Sequence, residues 1–178
     1  MVTNHLFLLF FFKMINTLNY ISPLGDILLV CENEKLIGAW FEGQKYFLDN
    51  ISGDLVEKED DILSKTKDWL DRYFDGEKPL INELDLAPKG TSFRREVWKI
   101  LCEIPYGETT TYKDIASKIA KKRGIERMSA QAIGGAVGQN PLSIIIPCHR
   151  VIASNGKLTG YAAGLDKKIF LLKHENAI

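Results

Sequence analysis

Cysteine is scarce in this chain: three in 178 residues, at Cys31, Cys102 and Cys148, with no CxxC pair. That excludes a disulfide framework and fits a reducing, cytoplasmic setting. Histidine is equally scarce (His5, His149, His174), and no spacing of these six residues matches a zinc motif, so neither metal nor cofactor is expected. Long apolar runs are missing too. The stretch from Leu6 to Phe12 is strongly apolar but too short to span a bilayer, and no membrane role is expected. It has no basic residue before it and no small-residue cleavage site after it, which makes it a poor signal peptide. Residues 1–13 read as a non-native, dispensable upstream extension; the other reading is an added strand or a loosely packed apolar arm.

Net charge is absent only on average. Residues 1–88 hold 8 Lys and Arg against 16 Asp and Glu, a balance of −8; residues 89–178 hold 15 against 7, a balance of +8. Such a split suggests two units, the second facing a polyanion such as nucleic acid. Mutual attraction of the halves is the plainer alternative.

The first half reads as an antiparallel meander. Ile27–Cys31 and Leu36–Phe41 are apolar, β-rich runs separated by Glu32-Asn33-Glu34-Lys35, and an earlier turn sits at Pro23-Leu24-Gly25. After an acidic loop ending at Asp60-Asp61, Ile62, Thr66, Trp69, Leu70 and Phe74 recur at helical spacing until Asp75-Gly76 stops them. Residues 83–90 look like a linker coinciding with the charge reversal, and the boundary between an N-terminal unit (14–88) and a C-terminal unit (89–178) is placed there.

The second half reads as helical. Ser92 is a candidate cap for a helix carrying Phe93, Val97, Leu101 and Ile104. Thr111-x-x-Asp114 is a capping box for a helix with Ile115, Ala116, Ile119 and Ala120 inward. A basic turn follows, and Ser129 can cap Ala130–Val137, which Asn140-Pro141 ends. Helix, turn and helix in about thirty residues match a helix-turn-helix. The second helix carries Gly134, Gly135 and Gly138, each costing about 1 kcal/mol against alanine inside a helix. That cost suggests close approach of another backbone, either a packed helix or a nucleic acid. Asn155-Gly156 marks a turn. A last helix from about Asp166 is expected to bury Ile169, Phe170 and Leu172.

Between these lies Ile144-Ile145-Ile146-Pro147-Cys148-His149-Arg150-Val151, read as a short buried strand ended by proline, with a thiol at the mouth of the turn. A thiol attacks as its thiolate, which a neighbouring imidazole or guanidinium favours. A bare Cys-His pair is more often a buried structural cysteine.

The blocks Gly107–Tyr112, Ala132–Ala136, Asn140-Pro141, Ile146–Val151, Gly160-Tyr161 and Leu171–Glu175, in this order, resemble the methylated-DNA–protein-cysteine methyltransferases, which repair O6-alkylguanine. The resemblance is strong over 92–175 and weak but compatible over 14–88. It implies an α+β protein: a small ribonuclease-H-like antiparallel-sheet domain, then a mainly helical domain with a winged-helix-like helix-turn-helix. It implies that Cys148 accepts a methyl group from O6-methylguanine or O4-methylthymine, once and irreversibly, after nucleotide flipping. His149 would take the thiol proton through a water, oriented by Glu175. Asn140 would be the hinge, and Tyr112 would press on the phosphate and donate a proton to the leaving base. Tyr161, Ala162 and Ala163, with Val151, would shape the base pocket, and Arg150 would brace the turn. Ala130, Gln131, Gly134 and Gly135 would face double-stranded DNA containing the lesion, bound by a monomer. Two positions depart from the family pattern. Gln131 replaces an arginine that fills the gap in the base stack, which implies weaker binding or flipping, or compensation by Arg127 nearby. Ala163 replaces a glycine, which implies a narrower pocket and slower reaction with benzyl than with methyl. Two rival functions are a damage-sensing binder that does not transfer, which would lack the reactive cysteine, and a thiol hydrolase using Cys148, His149 and Glu175 with many turnovers.

Overall fold

The computed structural model describes residues 14–178; the expectation for residues 1–13 falls outside them. Four strands open the chain: β1 (Met14–Ser22), β2 (Gly25–Glu32), β3 (Lys35–Phe41) and β4 (Asp54–Glu57). They form one sheet in the order β3-β2-β1-β4, antiparallel except for β4, which runs parallel to β1. The meander was legible, but β4 was not, because it lies in a stretch dense with Asp and Glu and is paired along one edge only. At the tip between β2 and β3, Asn33 and Glu34 both take positive φ (50° and 59°), the geometry that matches the twist of a two-residue hairpin. Gly38 has a different reason to be glycine: a Cβ there would fall 1.7 Å from the Trp40 ring that lies across it.

Both faces of the sheet are covered. Ile15, Val30, Ile37 and Trp40 pack against Leu48, Ile51 and Ala87. On the other face, Tyr20, Ile27, Leu29, Cys31, Leu36, Ala39 and Phe41 join a core that runs through both halves of the chain. Helix α1 (Asp61–Phe74) closes this face. Its N-cap Asp60 accepts from Leu63 N–H and from the Asn16 side chain, which pins the helix start to β1. Ile62, Leu63, Thr66, Trp69, Leu70 and Tyr73 are buried; Tyr73 takes the inward place that the spacing gave to Phe74, which is only half-buried.

The second half contains α2 (Ser92–Leu101), β5 (Thr110–Thr111), α3 (Tyr112–Arg123), α4 (Ala130–Gly138), β6 (Val151–Ile152) and α5 (Leu165–His174). Thr111 and Asp114 form the capping box, Ser129 caps α4, and Ile115, Ala116, Ile119 and Ala120 are buried as the spacing predicts. The cap of α2 is Thr91 rather than Ser92, because Thr91 holds the extended φ/ψ and accepts from Arg94 N–H. Helix α5 corrects the expected face: Lys168, Leu171 and Leu172 are buried, whereas Phe170 is 40% exposed.

The largest correction concerns residues 144–146, which form no strand. Leu142 alone bridges Ala39 of β3, with Ala39 N–H donating to Pro141 C=O (2.8 Å) and Ser143 N–H donating to Ala39 C=O (2.9 Å). The chain then coils tightly: Ile144 takes φ 70° beneath an Ile145 N–H to Ser143 C=O bond of 2.9 Å. Cys148 N–H donates to Ile146 C=O (2.7 Å) around Pro147, which sits at φ −80°, ψ 63°, an inverse γ-turn. Three buried isoleucines suggest a strand by composition, but the Ile145 and Ile146 N–H groups and the Ile146 C=O bond within turns and to one side chain, that of Asn140. Sheet edge β3 thus anchors the segment that leads to Cys148.

Candidate active site

Cys148 opens a single 3₁₀ turn, Cys148–Arg150, and is 6% exposed. Asn140, two residues beyond α4, organises everything around it. Its Nδ2 lies 2.8 Å from Ile146 C=O, 3.3 Å from Leu142 C=O and 3.1 Å from Cys148 Sγ, while its Oδ1 accepts from Leu142 N–H at 3.0 Å. One buried amide therefore closes the coil and donates to the sulfur.

Behind the turn lies a buried charge cluster. The Glu175 carboxylate, 2% exposed at the end of α5, is met by five donors: His149 Nε2 at 2.7 Å, Tyr73 O–H at 2.7 Å, Arg150 Nη2 at 3.0 Å and Nε at 2.8 Å, and Gly107 N–H at 3.3 Å. Burial alone would raise the carboxyl, but the bonds from His149 and Arg150 override it and hold Glu175 well below the usual carboxylate range. Gly107 has to be glycine, because it sits at φ 80° and a Cβ would lie 2.9 Å from Glu175 C=O. Since Glu175 takes the Nε2 proton, His149 is the Nε2–H tautomer, with Nδ1 unprotonated; that atom is buried with no hydrogen-bond partner among the described residues. Burial lowers His149 despite the carboxylate, so the imidazole rests neutral.

The sequence suggested a thiolate poised by its neighbours. The structure differs: burial pushes the Cys148 thiol up, against the Asn140 bond that favours the anion. Arg150 cannot supply the missing charge, because its guanidinium is committed to Glu175 and to Ile104 C=O (2.6 Å). Arg150 braces the turn and does not line the cavity. The cation that acts on the thiol is Lys168, fully buried and absent from the expected residues. Its Nζ donates to Val151 C=O (2.6 Å), Thr159 C=O (2.9 Å) and Gly160 C=O (3.3 Å), and burial lowers its pKa to about 8. Lys168, Leu171, Leu172 and Glu175 share one face of α5, and this placement of a lysine among apolar residues was a readable signal.

In front of the sulfur is a cavity of about 200 Å³, lined by Cys148, Tyr112, Gly134, Tyr161 and Ala162, and by Lys45 and Tyr46 from the first half. Tyr112 opens α3 and its hydroxyl donates to Thr159 C=O at 3.2 Å, which ties the recognition-helix pair to the pocket loop. Lys45 N–H donates to Ala162 C=O (3.1 Å), so a sheet-side loop holds the far wall; that pairing was not readable in sequence. A wider, shallower groove beside the cavity is lined by Ala130, Gln131, Gly134 and Gly135 on α4, and by Tyr112 and Gly160. Gly135 and Gly138 meet nothing within 4 Å where a Cβ would stand, so among the described residues no helix packs at those two positions. Two expected pocket residues do not reach the cavity. Val151 is fully buried; its N–H donates to Cys148 C=O and its carbonyl accepts from Lys168. Ala163 packs against the core and is not among the residues that line the cavity. No group of three His, Cys, Asp or Glu able to hold a metal occurs among the described residues, and no helix among them is long and apolar enough to cross a membrane.

Comparisons with known proteins agree with this geometry. The family model of the 6-O-methylguanine DNA methyltransferase ribonuclease-like domain matches residues 18–88, and that of the DNA-binding domain of the same family matches residues 92–177. A methylated-DNA–protein-cysteine methyltransferase of Methanosarcina barkeri is 48% identical over 155 residues, covering 86% of this chain and 92% of its own. One of Haemophilus influenzae is 37% identical over 158 residues, covering 88% and 83%. The crystal structure of Mycobacterium tuberculosis OGT in complex with DNA superposes with a TM-score of 0.73 at 36% identity, covering 92% of this chain and 93% of that one. The chain belongs to the methylated-DNA–protein-cysteine methyltransferase family, DNA-binding repair enzymes that transfer an alkyl group from DNA to a protein cysteine.

Proposed function

We propose that the protein removes the methyl group from O6-methylguanine, and from O4-methylthymine, in double-stranded DNA, each molecule reacting once. The observation that carries this reading is the placement of the Cys148 sulfur at the floor of a small cavity beside the open glycine face of α4, with a histidine–carboxylate pair directly behind it. A methyl carbon on O6 inside a stacked duplex lies beyond the reach of a buried thiol, so the nucleotide has to leave the stack, at a few kcal/mol and less for a badly paired base. The groove along Ala130, Gln131, Gly134 and Gly135 would hold the backbone, and Tyr112 and Tyr161 would flank the base.

Cys148 starts as a thiol. On approach of the base its proton passes through a bridging water to Nδ1 of His149, whose Nε2–H stays on Glu175, and the carboxylate stabilises the imidazolium so formed. Sulfur then displaces O6 in line: the S–C bond forms, the C–O bond breaks, and its electron pair passes to the guanine. A proton from Tyr112 meets the leaving base, and the His149 proton restores the tyrosine. The products are S-methylcysteine and guanine, and the thioether has no hydrolytic route back. Asn140 and Arg150 hold the turn throughout, and Lys168 supplies the nearby positive charge while the thiolate exists.

A monomer of two units joined at 88/89, acting in the cytoplasm, completes this reading. Titration against a duplex containing one O6-methylguanine tests it, with mass spectrometry of the Cys148 peptide and light scattering of the complex. One methyl per protein on Cys148 is the expected endpoint. Many product molecules per protein would point to a hydrolase, and tight binding with no mass change to a damage sensor.

A further inference from the structure

The relay has a fourth member that lies 102 positions from Glu175 in sequence. Tyr73 stands in the last turn of α1, fully buried, and its hydroxyl donates to the same Glu175 oxygen, Oε1, that His149 and Arg150 use, at 2.7 Å. Its own backbone carbonyl meets His174 Nε2 at 2.7 Å, so the C-terminal ends of α1 and α5 are clasped at two points. The ring is fixed on every side: stacked on Trp69 at 5.7 Å, edge-on to Phe74 at 5.3 Å and to Tyr106 at 6.0 Å, and tilted against His174 at 5.2 Å. A hydroxyl so fixed is a rigid donor aimed at one carboxylate oxygen.

We propose that Tyr73 is a positioning residue of the relay: its hydroxyl draws charge from Glu175 Oε1 and so keeps His149 neutral and able to accept the Cys148 proton. Three donors share Oε1, and each bond to one weakens that oxygen's hold on the others. Without the hydroxyl, more of the carboxylate's charge would act on His149 and stabilise the imidazolium, which cannot take a proton. The other charged and titratable groups around the pair are Cys148 and Arg150 on its own turn, Lys168 on α5, Tyr161 on the pocket loop, and Tyr106 and His174 beside Tyr73. None of these is altered when only the Tyr73 oxygen is removed. The N-terminal half then contributes to the chemistry itself, because α1 sets the protonation state of a base carried by the other half.

The inference rests on the relay proposed above, and the experiment separates the two. Tyr73→Phe is prepared in the full chain beside Tyr106→Phe, which removes a neighbouring hydroxyl that bonds His174 C=O (3.3 Å) and not Glu175. Single-turnover methyl transfer at saturating DNA is measured against pH, and His149 is titrated by ¹⁵N NMR in the DNA-free protein. Tyr73→Phe should slow transfer by up to about threefold on the acid side of the profile, and little at neutral pH, with unchanged DNA affinity. Its acid limb and its His149 titration should move together to higher pH by roughly half a unit, and Tyr106→Phe should do neither. A wild-type rate profile and titration in Tyr73→Phe, or a slower rate with His149 unmoved, overturns the role of Tyr73. Absence of transfer by the wild-type protein overturns the reading of function instead, and the DNA-free titration still decides the role of the tyrosine.

Discussion

Cys31 and Cys148 are both buried thiols whose burial raises their pKa, Cys31 to about 12 with the Asp60 carboxylate adding to the effect. By resting ionisation, neither is reactive. They differ in what surrounds the sulfur. Cys31 sits on β2 in the sheet core, beside an anion that opposes a second negative charge. Cys148 has an amide donor at 3.1 Å, a buried lysine nearby, a neutral imidazole on the next residue and a cavity in front. A nucleophile that reacts once does not need a standing thiolate. It needs a proton outlet and a donor that steady the anion as it forms, in a site that only the right base can enter.

The strongest test of this contrast is removal of each sulfur in turn. Cys148→Ala should abolish transfer, whereas Cys31→Ala should keep the full stoichiometric endpoint; methyl counted by mass spectrometry reads both. Next in size is Glu175→Gln, which leaves Arg150 buried without its counter-charge. A loss of stability of about 3–5 kcal/mol is expected, with transfer slowed by roughly a hundredfold. The pH dependence has a fixed sign. The folded pKa of Glu175 lies below the ordinary 4.5, so its stabilisation is complete above that value and lost as pH falls toward the depressed folded value. Thermal stability of the wild type should therefore fall steeply in acid, and Glu175→Gln should flatten that limb.

Lys168 gives an effect of intermediate size and opposite placement. Its folded pKa of about 8 lies below the ordinary 10.5, so the fold releases a proton that the unfolded chain keeps between these values. Stability should rise with pH across that window by up to about 3 kcal/mol from this group. Lys168→Met should remove the rise while leaving three carbonyls unpaired, and should slow transfer about tenfold; calorimetry against pH and single-turnover rates check the two parts.

How much of this was legible follows from the range of each interaction. Local patterns read well: the capping box at Thr111 and Asp114, the Ser129 cap, the buried stripe of α3 and the hairpin at Asn33-Glu34 are all decided within a few residues. Cys148, His149, Asn140 and Glu175 were found because they lie in the blocks that carry the family resemblance, and the structure brings them together. Tyr73, Lys45 and Tyr46 were missed because their partners are distant along the chain and a helix or loop pattern says nothing of what it will meet. The false strand at 144–146 has the same origin. Composition favours β, but Asn140 offers those backbone groups a different set of bonds, and Ile144 takes φ 70° against its own preference.

The smallest expected effect concerns delivery of the base, the step that Cys31 never sees. Gln131 is exposed on α4 in the groove beside the cavity and makes no bond to the turn that holds Cys148. Gln131→Arg adds a cation and a planar group at the point where DNA would lie, without touching Asn140, His149 or Glu175. A new phosphate contact should steepen the salt dependence by about one unit, and stacking should tighten binding several-fold. The chemistry behind the sulfur is unchanged, so the single-turnover rate at saturating DNA should stay at the wild-type value while the DNA concentration needed to reach it falls. Fluorescence anisotropy over a range of salt, run beside the transfer assay, separates the two. A faster saturated rate would mean that extrusion of the base, rather than the relay behind Cys148, limits the reaction.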